Sequence, residues 1–200
     1  MTNATIDPIS LDILFRKARS QNGWLEKPVS KEQLEILYEL MKLCPTSANS
    51  QPARLIFLTT VEAKERLRPA LSPGNIEKTI GAPVVAIIAY DTDFHQLLHK
   101  TFPHNPRFAA MFEGNEKFES RERFAFRNSS LQGAYLIMAA RAIGLDCGPM
   151  SGFDNRLVDE IFFSSTCIKS NFLCALGYGD PSKVMERLPR LTFAEACQCL

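Results

Sequence analysis

The chain has 200 residues, 46% of them apolar and 14 of them Phe, enough to fill one substantial core, so a single domain over residues 1–200 is expected. Its 23 basic and 22 acidic side chains leave a net charge of +1, which argues against a nucleic-acid or membrane-surface footprint and for a small-molecule partner. The opening MTNATIDPISLDILFRK has no basic leader followed by an apolar run, and no later segment reaches the ~18 apolar residues of a membrane span, so a soluble, cytoplasmic protein is expected.

In chain order, Ser30 and Gln33 form a capping box, and Leu34, Leu37, Tyr38 and Met41 follow at helical spacing until Pro45. The pattern predicts an amphipathic helix from Ser30 to about Leu43. RLIFLTT and APVVAIIAY read as strands buried on both faces, with VEAKERLRPALS as a helix between them. The length of that link favours crossovers and a mixed sheet. Residues 91–120 are richer in polar, Pro and His residues and read as a surface excursion able to cover a site. Arg121 to Ile143 reads as one long helix, apolar on several sides and released by Gly144; such a helix is buried centrally or in a dimer interface. NFLCALGYG reads as a third strand, and Thr192 with Glu195 opens a C-terminal helix.

The six cysteines are scattered and four sit in apolar contexts, which predicts free thiols in a reducing compartment. Cys197-Gln-Cys199 lacks the Cys-x-x-Cys spacing of a metal or redox pair. His95 and His99 are four apart with His104 nearby, yet no acidic partner completes a hydrolytic motif, and no metal is expected.

Four segments carry candidate chemistry. PTSANSQP, from Pro45 to Pro52, offers hydroxyls, amides and backbone N–H groups to a phosphate or a polar heterocycle; an ordinary Pro-bounded turn fits its composition equally. Arg16-Lys-Ala-Arg19-Ser20 suits phosphate oxygens or a solvated helix face. Asn75 and Lys78 in GNIEK share one helical face. GPMSGFD, Gly148 to Asp154, lets backbone approach a flat ligand closely, or forms a strand-to-helix turn capped by Asp154. The chain lacks a Gly-x-Gly-x-x-Gly, a Walker loop and a nucleophile elbow, so a nicotinamide cofactor would visit rather than reside.

Taken in order, Arg19-Ser20, PTSANSQP, GNIEK, GLDCGPMSGFD and the terminal LGYGD and RLPRL resemble the nitroreductase family of FMN-dependent oxidoreductases over almost the whole chain. NGW, PTSAN-x-x-PAR, ALS-x-GN, AFRNSS-x-Q-x-AYLI and GPMSGFD are most similar to its malonic semialdehyde reductase branch. The resemblance implies an α+β sandwich with a central mixed β-sheet flanked by helices, and a homodimer with FMN sites at the interface. By the same resemblance, Arg19, Ser20 and Arg190 hold the flavin phosphate. Pro45, Thr46 and Ser47, with Asn49 in the same loop, reach toward the partner's flavin. Asn75 and Lys78 contact the ring or ribityl chain, and Pro149, Met150, Ser151 and Gly152 lie along the ring. Asn22 and Leu188 depart from positions that are often basic in relatives, Ala53 from a frequent Trp and Ser151 from a frequent Glu.

The implied reaction is ping-pong hydride transfer from NADH or NADPH, through FMN, to a small carbonyl acceptor, foremost malonic semialdehyde (3-oxopropanoate) giving 3-hydroxypropanoate in pyrimidine degradation. Arg107 or His104 is the expected partner of the substrate carboxylate. The rival readings are a broad nitroreductase or quinone reductase, and a flavin-binding module without turnover.

Overall fold

In the computed structural model, residues 4–200 are described; Met1–Asn3, the start of the segment read above for a leader, lie outside the described residues. Four strands form one sheet: β1 (Ala53–Leu58), β2 (Val84–Asp91), β3 (Asp146–Met150) and β4 (Ile168–Gly177), in the order β1-β2-β4-β3. All three ladders are antiparallel, with Leu55 opposite Ile88, Val84 opposite Leu176 and Gly148 opposite Ala175. The expectation of a mixed sheet is therefore corrected. The long β1–β2 link permits a crossover, but its helices return the chain antiparallel to β1. Among the described residues the one parallel pairing is an isolated bridge between Ser20 and Cys147.

Helices cover both faces of the sheet. On one face, α1 (Lys31–Met41) and α4 (Phe118–Ala142) bury Leu34, Leu37, Met41, Leu136 and Ala140 against Val84, Ala86, Ile88 and Leu176. On the other, α2 (Val61–Leu67), α3 (Pro73–Ile80) and α5 (Asn155–Phe162) contribute Leu67, Ile76 and Val158 to a core with Val85, Ile87, Leu173 and Ala175. Successive β2 residues feed opposite cores, as the period of two requires, and this two-sided burial explains its uninterrupted apolar run.

Local sequence sets the helix ends. Ser30 and Gln33 form the reciprocal capping box of α1, and Asp154 caps α5 by accepting from the Leu157 amide. Helix α4 begins three residues before the expected Arg121, and Gly144, at φ 79°, carries the left-handed turn beyond its end. Its buried stripe, Ala125, Asn128, Gln132, Leu136 and Ala139, faces the sheet; outside that stripe Phe126, Leu131 and Tyr135 are 48, 48 and 43% exposed. The residue 91–120 excursion has an aromatic core of its own: Phe94, fully buried, stacks on Phe124 at 5.0 Å between centroids and meets Phe112 edge-on. The Thr192–Glu195 box forms, but its helix is only Phe193–Ala196 and is exposed.

Candidate functional site

The segment after Ala18 runs beside β3. Ser20 bridges Cys147 and the Gln21 amide donates to the Cys147 carbonyl at 2.9 Å. Further along, the Trp24 indole donates to the Lys78 carbonyl at 2.8 Å, which ties this segment to α3. Helix α3 in turn meets the residues after β3: Asn75 Nδ2 donates to the Gly152 carbonyl at 2.8 Å, and the Ser72 amide donates to the same oxygen at 3.0 Å. Arg19, Ser20, Lys78, Asn75 and Gly152, scattered in sequence, thus lie along one edge of the molecule beside β3. A Cβ on Gly152 would stand 2.6 Å from Asn75 Nδ2, so glycine is what admits this approach.

At the Arg19 end, a cleft of about 410 Å³ gathers Arg19, Ser20 and Arg190 with Arg141 and Arg187. Among the described residues Glu186 is the only carboxylate lining it, and none of the four guanidiniums has a carboxylate in ion-pair range. Guanidinium stays charged at any physiological pH, so four of them unpaired in one cleft repel each other unless an anion enters. Asn22 and Leu188 line the same cleft as neutral side chains.

Lys78 is half-buried, and that burial lowers the pKa of its ammonium. Pro149 and Met150 end β3, the edge strand, while Ser151 is exposed just beyond it. The Met150 side chain turns into the core, where the Thr79 hydroxyl meets its sulfur at 3.2 Å, so only its backbone is left for a ligand.

The Pro45–Asn49 loop lies apart from this row. The Ser47 amide donates to Asn128 Oδ1 at 2.8 Å, and Asn49 Nδ2 donates to the Thr101 carbonyl at 2.8 Å. Asn49 lines a different cleft with Arg54, Lys100 and Gln132. Pro45, Ser47 and Asn49 are exposed, with Thr46 half-buried, while Ala48, Asn49 and Gln51 hold φ of 51, 45 and 43°. Left-handed backbone at three non-glycine residues is strain of the kind that accumulates where a loop presents groups to a ligand. His104 and Arg107 are both exposed on the excursion, His104 against the Phe102 ring.

Sequence reasoning missed Arg141 and Arg187, which lie on elements far from Arg19, and the buried Asn128 and Gln132 that hold the loop; Gln132 Oε1 accepts from the Ala53 amide at 2.9 Å. A larger cavity of about 1030 Å³ lies elsewhere, between α4, α5 and the start of β4, around Tyr90 and the Glu122–Lys169 ion pair at 2.6 Å. Burial and Glu122 push the Tyr90 hydroxyl well above its ordinary pKa. None of the predicted site residues lines this cavity, and the arginine-rich cleft is the better functional candidate because its charge is uncompensated. Among the described residues no cluster of His, Cys, Asp and Glu can hold a metal, the described cysteines are free thiols, and no helix is long and apolar enough to cross a membrane.

The sequence model of the nitroreductase family matches residues 16–179, which span the Arg19 segment, the loop, α3 and β3. The chain belongs to the nitroreductase family. A Cupriavidus pinatubonensis protein provisionally named NADH dehydrogenase/NAD(P)H nitroreductase is 61% identical over 188 residues, 94% of this chain and 96% of that one. HadB of Ralstonia pickettii, provisionally named in the same way, is 56% identical over 189 residues, with 94 and 96% covered. Among solved structures, a nitroreductase-like protein of Exiguobacterium sibiricum in complex with FMN superposes with a TM-score of 0.86 at 20% identity, all of both chains covered. The ydfN protein of Bacillus subtilis gives 0.86 at 22% identity over 97% of this chain and all of that one. At such identities the superpositions establish the nitroreductase fold.

Proposed function

We propose that this nitroreductase-family chain is an FMN-dependent NAD(P)H oxidoreductase. The observation that carries the reading is the row beside β3: a cleft of four unpaired arginines at one end, and the Asn75–Gly152 contact next to Lys78 at the other. Cys147 to Gly152 is at most about 17 Å of extended chain, a span that suits a phosphate, a ribityl chain and a planar ring laid end to end. The residues fit the cofactor. Arg19, Ser20 and Arg190 bind the phosphate, Asn75 and Lys78 the ribityl chain or ring, and the Pro149–Gly152 backbone the flat ring face. The FMN-bound Exiguobacterium structure and the NAD(P)H nitroreductase names of the relatives support the same reading.

The chemistry supplied there is that of the flavin, which takes two electrons from NADH or NADPH and returns them to a second ligand in ping-pong order. The chain's own part is to hold, orient and exclude water. The Ser72 amide and Asn75 side chain fix the Gly152 carbonyl, and Lys78 contributes a cation whose desolvation strengthens its pull on a nearby anion.

The same proposal puts the site at the interface of a homodimer. Support comes from the exposed Phe126, Leu131 and Tyr135 on α4, from Ile36, Tyr38 and Leu43 on or just beyond α1, and from the strained loop, whose Pro45, Thr46, Ser47 and Asn49 then serve the partner's flavin. The excursion at residues 91–120 covers the site, and Arg107 or His104 receives the carboxylate of the acceptor, proposed to be malonic semialdehyde. A broad NAD(P)H nitroreductase fits equally well and is what the names of the relatives print; a quinone reductase is the related alternative.

The test begins with the visible spectrum of the purified protein, mixed with FMN and then with NADPH or NADH without oxygen. Binding and bleaching of the flavin are expected, and a protein that binds no FMN sinks the reading. Turnover on 3-oxopropanoate against a nitroaromatic separates the acceptors. An unchanged KM for 3-oxopropanoate in Arg107→Ala removes Arg107 from its role.

A further inference from the structure

The arginine-rich cleft is closed by a reciprocal clasp between two distant parts of the chain. From one side, Arg19 donates to the Met185 carbonyl. From the other, Arg187 Nη2 donates to the Arg16 carbonyl at 2.8 Å and the Ala18 carbonyl at 3.0 Å. Arg141, on α4, reaches the same N-terminal segment through Nη1 and the Leu14 carbonyl at 3.0 Å. The two hydrogens on Arg187 Nη2 are thereby committed to backbone, which fixes the plane of the guanidinium. The carbonyls it holds belong to the residues that lead directly into Arg19 and Ser20.

We propose that Arg187 is a positioning residue for a phosphomonoester dianion: it pins residues 16–18 so that Arg19 and Ser20 face the cleft, and the dianion completes the clasp. The proposal rests on the reading of this cleft as the phosphate end of the FMN site and adds to it the residue that orders its donors.

Three features support it. Arg187 reaches across 169 and 171 positions to carbonyls, although a surface arginine finds water more easily. The clasp brings four guanidiniums around one carboxylate, Glu186, an arrangement that costs repulsion in the empty cleft and is offset by two negative charges. The conjugated guanidinium plane also holds both Nη2 hydrogens in fixed directions, whereas a lysine ammonium rotates freely about its stem.

The experiment titrates flavin-free protein with FMN and with riboflavin, which lacks the phosphate, following flavin fluorescence. Wild type is expected to prefer FMN. In Arg187→Ala, FMN affinity is expected to fall about tenfold or more, the scale of lost hydrogen bonds to a charged group, with riboflavin affinity unchanged within about twofold. Inorganic phosphate should compete with FMN more weakly in the variant. Loss of affinity for both flavins alike marks a merely structural residue and overturns the proposal, as does a variant that keeps the wild-type preference. A wild type with no preference for FMN sinks the phosphate reading itself, a different result. Should Arg187→Ala not melt cooperatively, Arg187→Lys is titrated against the same criteria and is expected to show a smaller but still FMN-selective loss.

Discussion

The Asn75 side-chain amide is bonded to the Gly152 carbonyl at 2.8 Å, joining α3 to the chain just beyond β3 across 77 positions of sequence. Because the Ser72 amide also donates to this oxygen, the turn after β3 is held by the start of α3 as well as by its own bond from the Phe153 amide to the Ser151 carbonyl at 3.0 Å.

Gly152→Ala tests that contact. The added methyl would fall 2.6 Å from Asn75 Nδ2 and 3.3 Å from Ser72 Oγ, so Asn75 must move. The expected cost is about 1–3 kcal/mol of stability, typical of overpacking, together with at least a tenfold (~1.4 kcal/mol) loss of FMN affinity in a fluorescence titration. Unchanged affinity would show that the Asn75–Gly152 contact does not shape the site.

Asn128 fastens the strained loop to α4. Its Oδ1 accepts from the Ser47 amide at 2.8 Å, its Nδ2 donates to the Phe124 carbonyl at 2.9 Å, and it is 2% exposed. Asn128→Ala leaves the Ser47 amide without this partner, at an expected cost of about 1–3 kcal/mol in chemical denaturation. Amide exchange at Ser47 to Gln51 should quicken, since three residues there hold left-handed backbone that relaxes once released. Equal exchange in the two proteins counts against Asn128 as the fastener.

Lys64 is 6% exposed, and its ammonium donates to the Ile80 carbonyl at 3.0 Å and the Ala82 carbonyl at 2.5 Å, closing the end of α3. Lys64→Met keeps the aliphatic stem and removes both bonds. The unmatched carbonyls are expected to cost about 1–3 kcal/mol, read as a lowered denaturation midpoint. A midpoint equal to that of wild type would mean that water or a local shift satisfies them.

The sequence revealed those parts of the fold whose signals are local. The capping box at Ser30 and Gln33 announces α1, and the all-apolar β2 can only sit between two covered faces. β3 was not legible because Asp146-Cys-Gly-Pro-Met reads as a turn. Pro149 is tolerated because β3 is the edge strand, where a missing N–H breaks no inner ladder. Strand direction was misjudged because the length of a link does not fix the sense in which it returns. In the site, Arg19, Ser20 and Arg190 line one cleft, and Asn75 meets Gly152. Arg141 and Arg187 stayed hidden because their link to residues 14–18 is a matter of folding, with no pattern at helical or strand spacing.

His95 gives the excursion an acid limit. Its Nδ1 is buried with no hydrogen-bond partner among the described residues, and its ring meets Phe94 edge-on with centroids 6.0 Å apart. Burial first, and the Arg121 charge second, lower its pKa below the ordinary 6.5, against the opposing pull of Asp93, Glu113 and Asp91. Between 6.5 and that lowered value the unfolded chain carries the proton and the folded chain does not. Stability contributed by the neutral ring is therefore present above pH 6.5 and is lost as the pH falls through the lowered folded value. The thermal midpoint should drop on acidification from about pH 7 to about pH 5, with proteolytic nicking of the excursion rising in parallel. His95→Leu removes the titrating ring and should flatten that acid limb while the midpoint near pH 7 changes less. An equally steep acid limb in the variant would assign the effect to other groups.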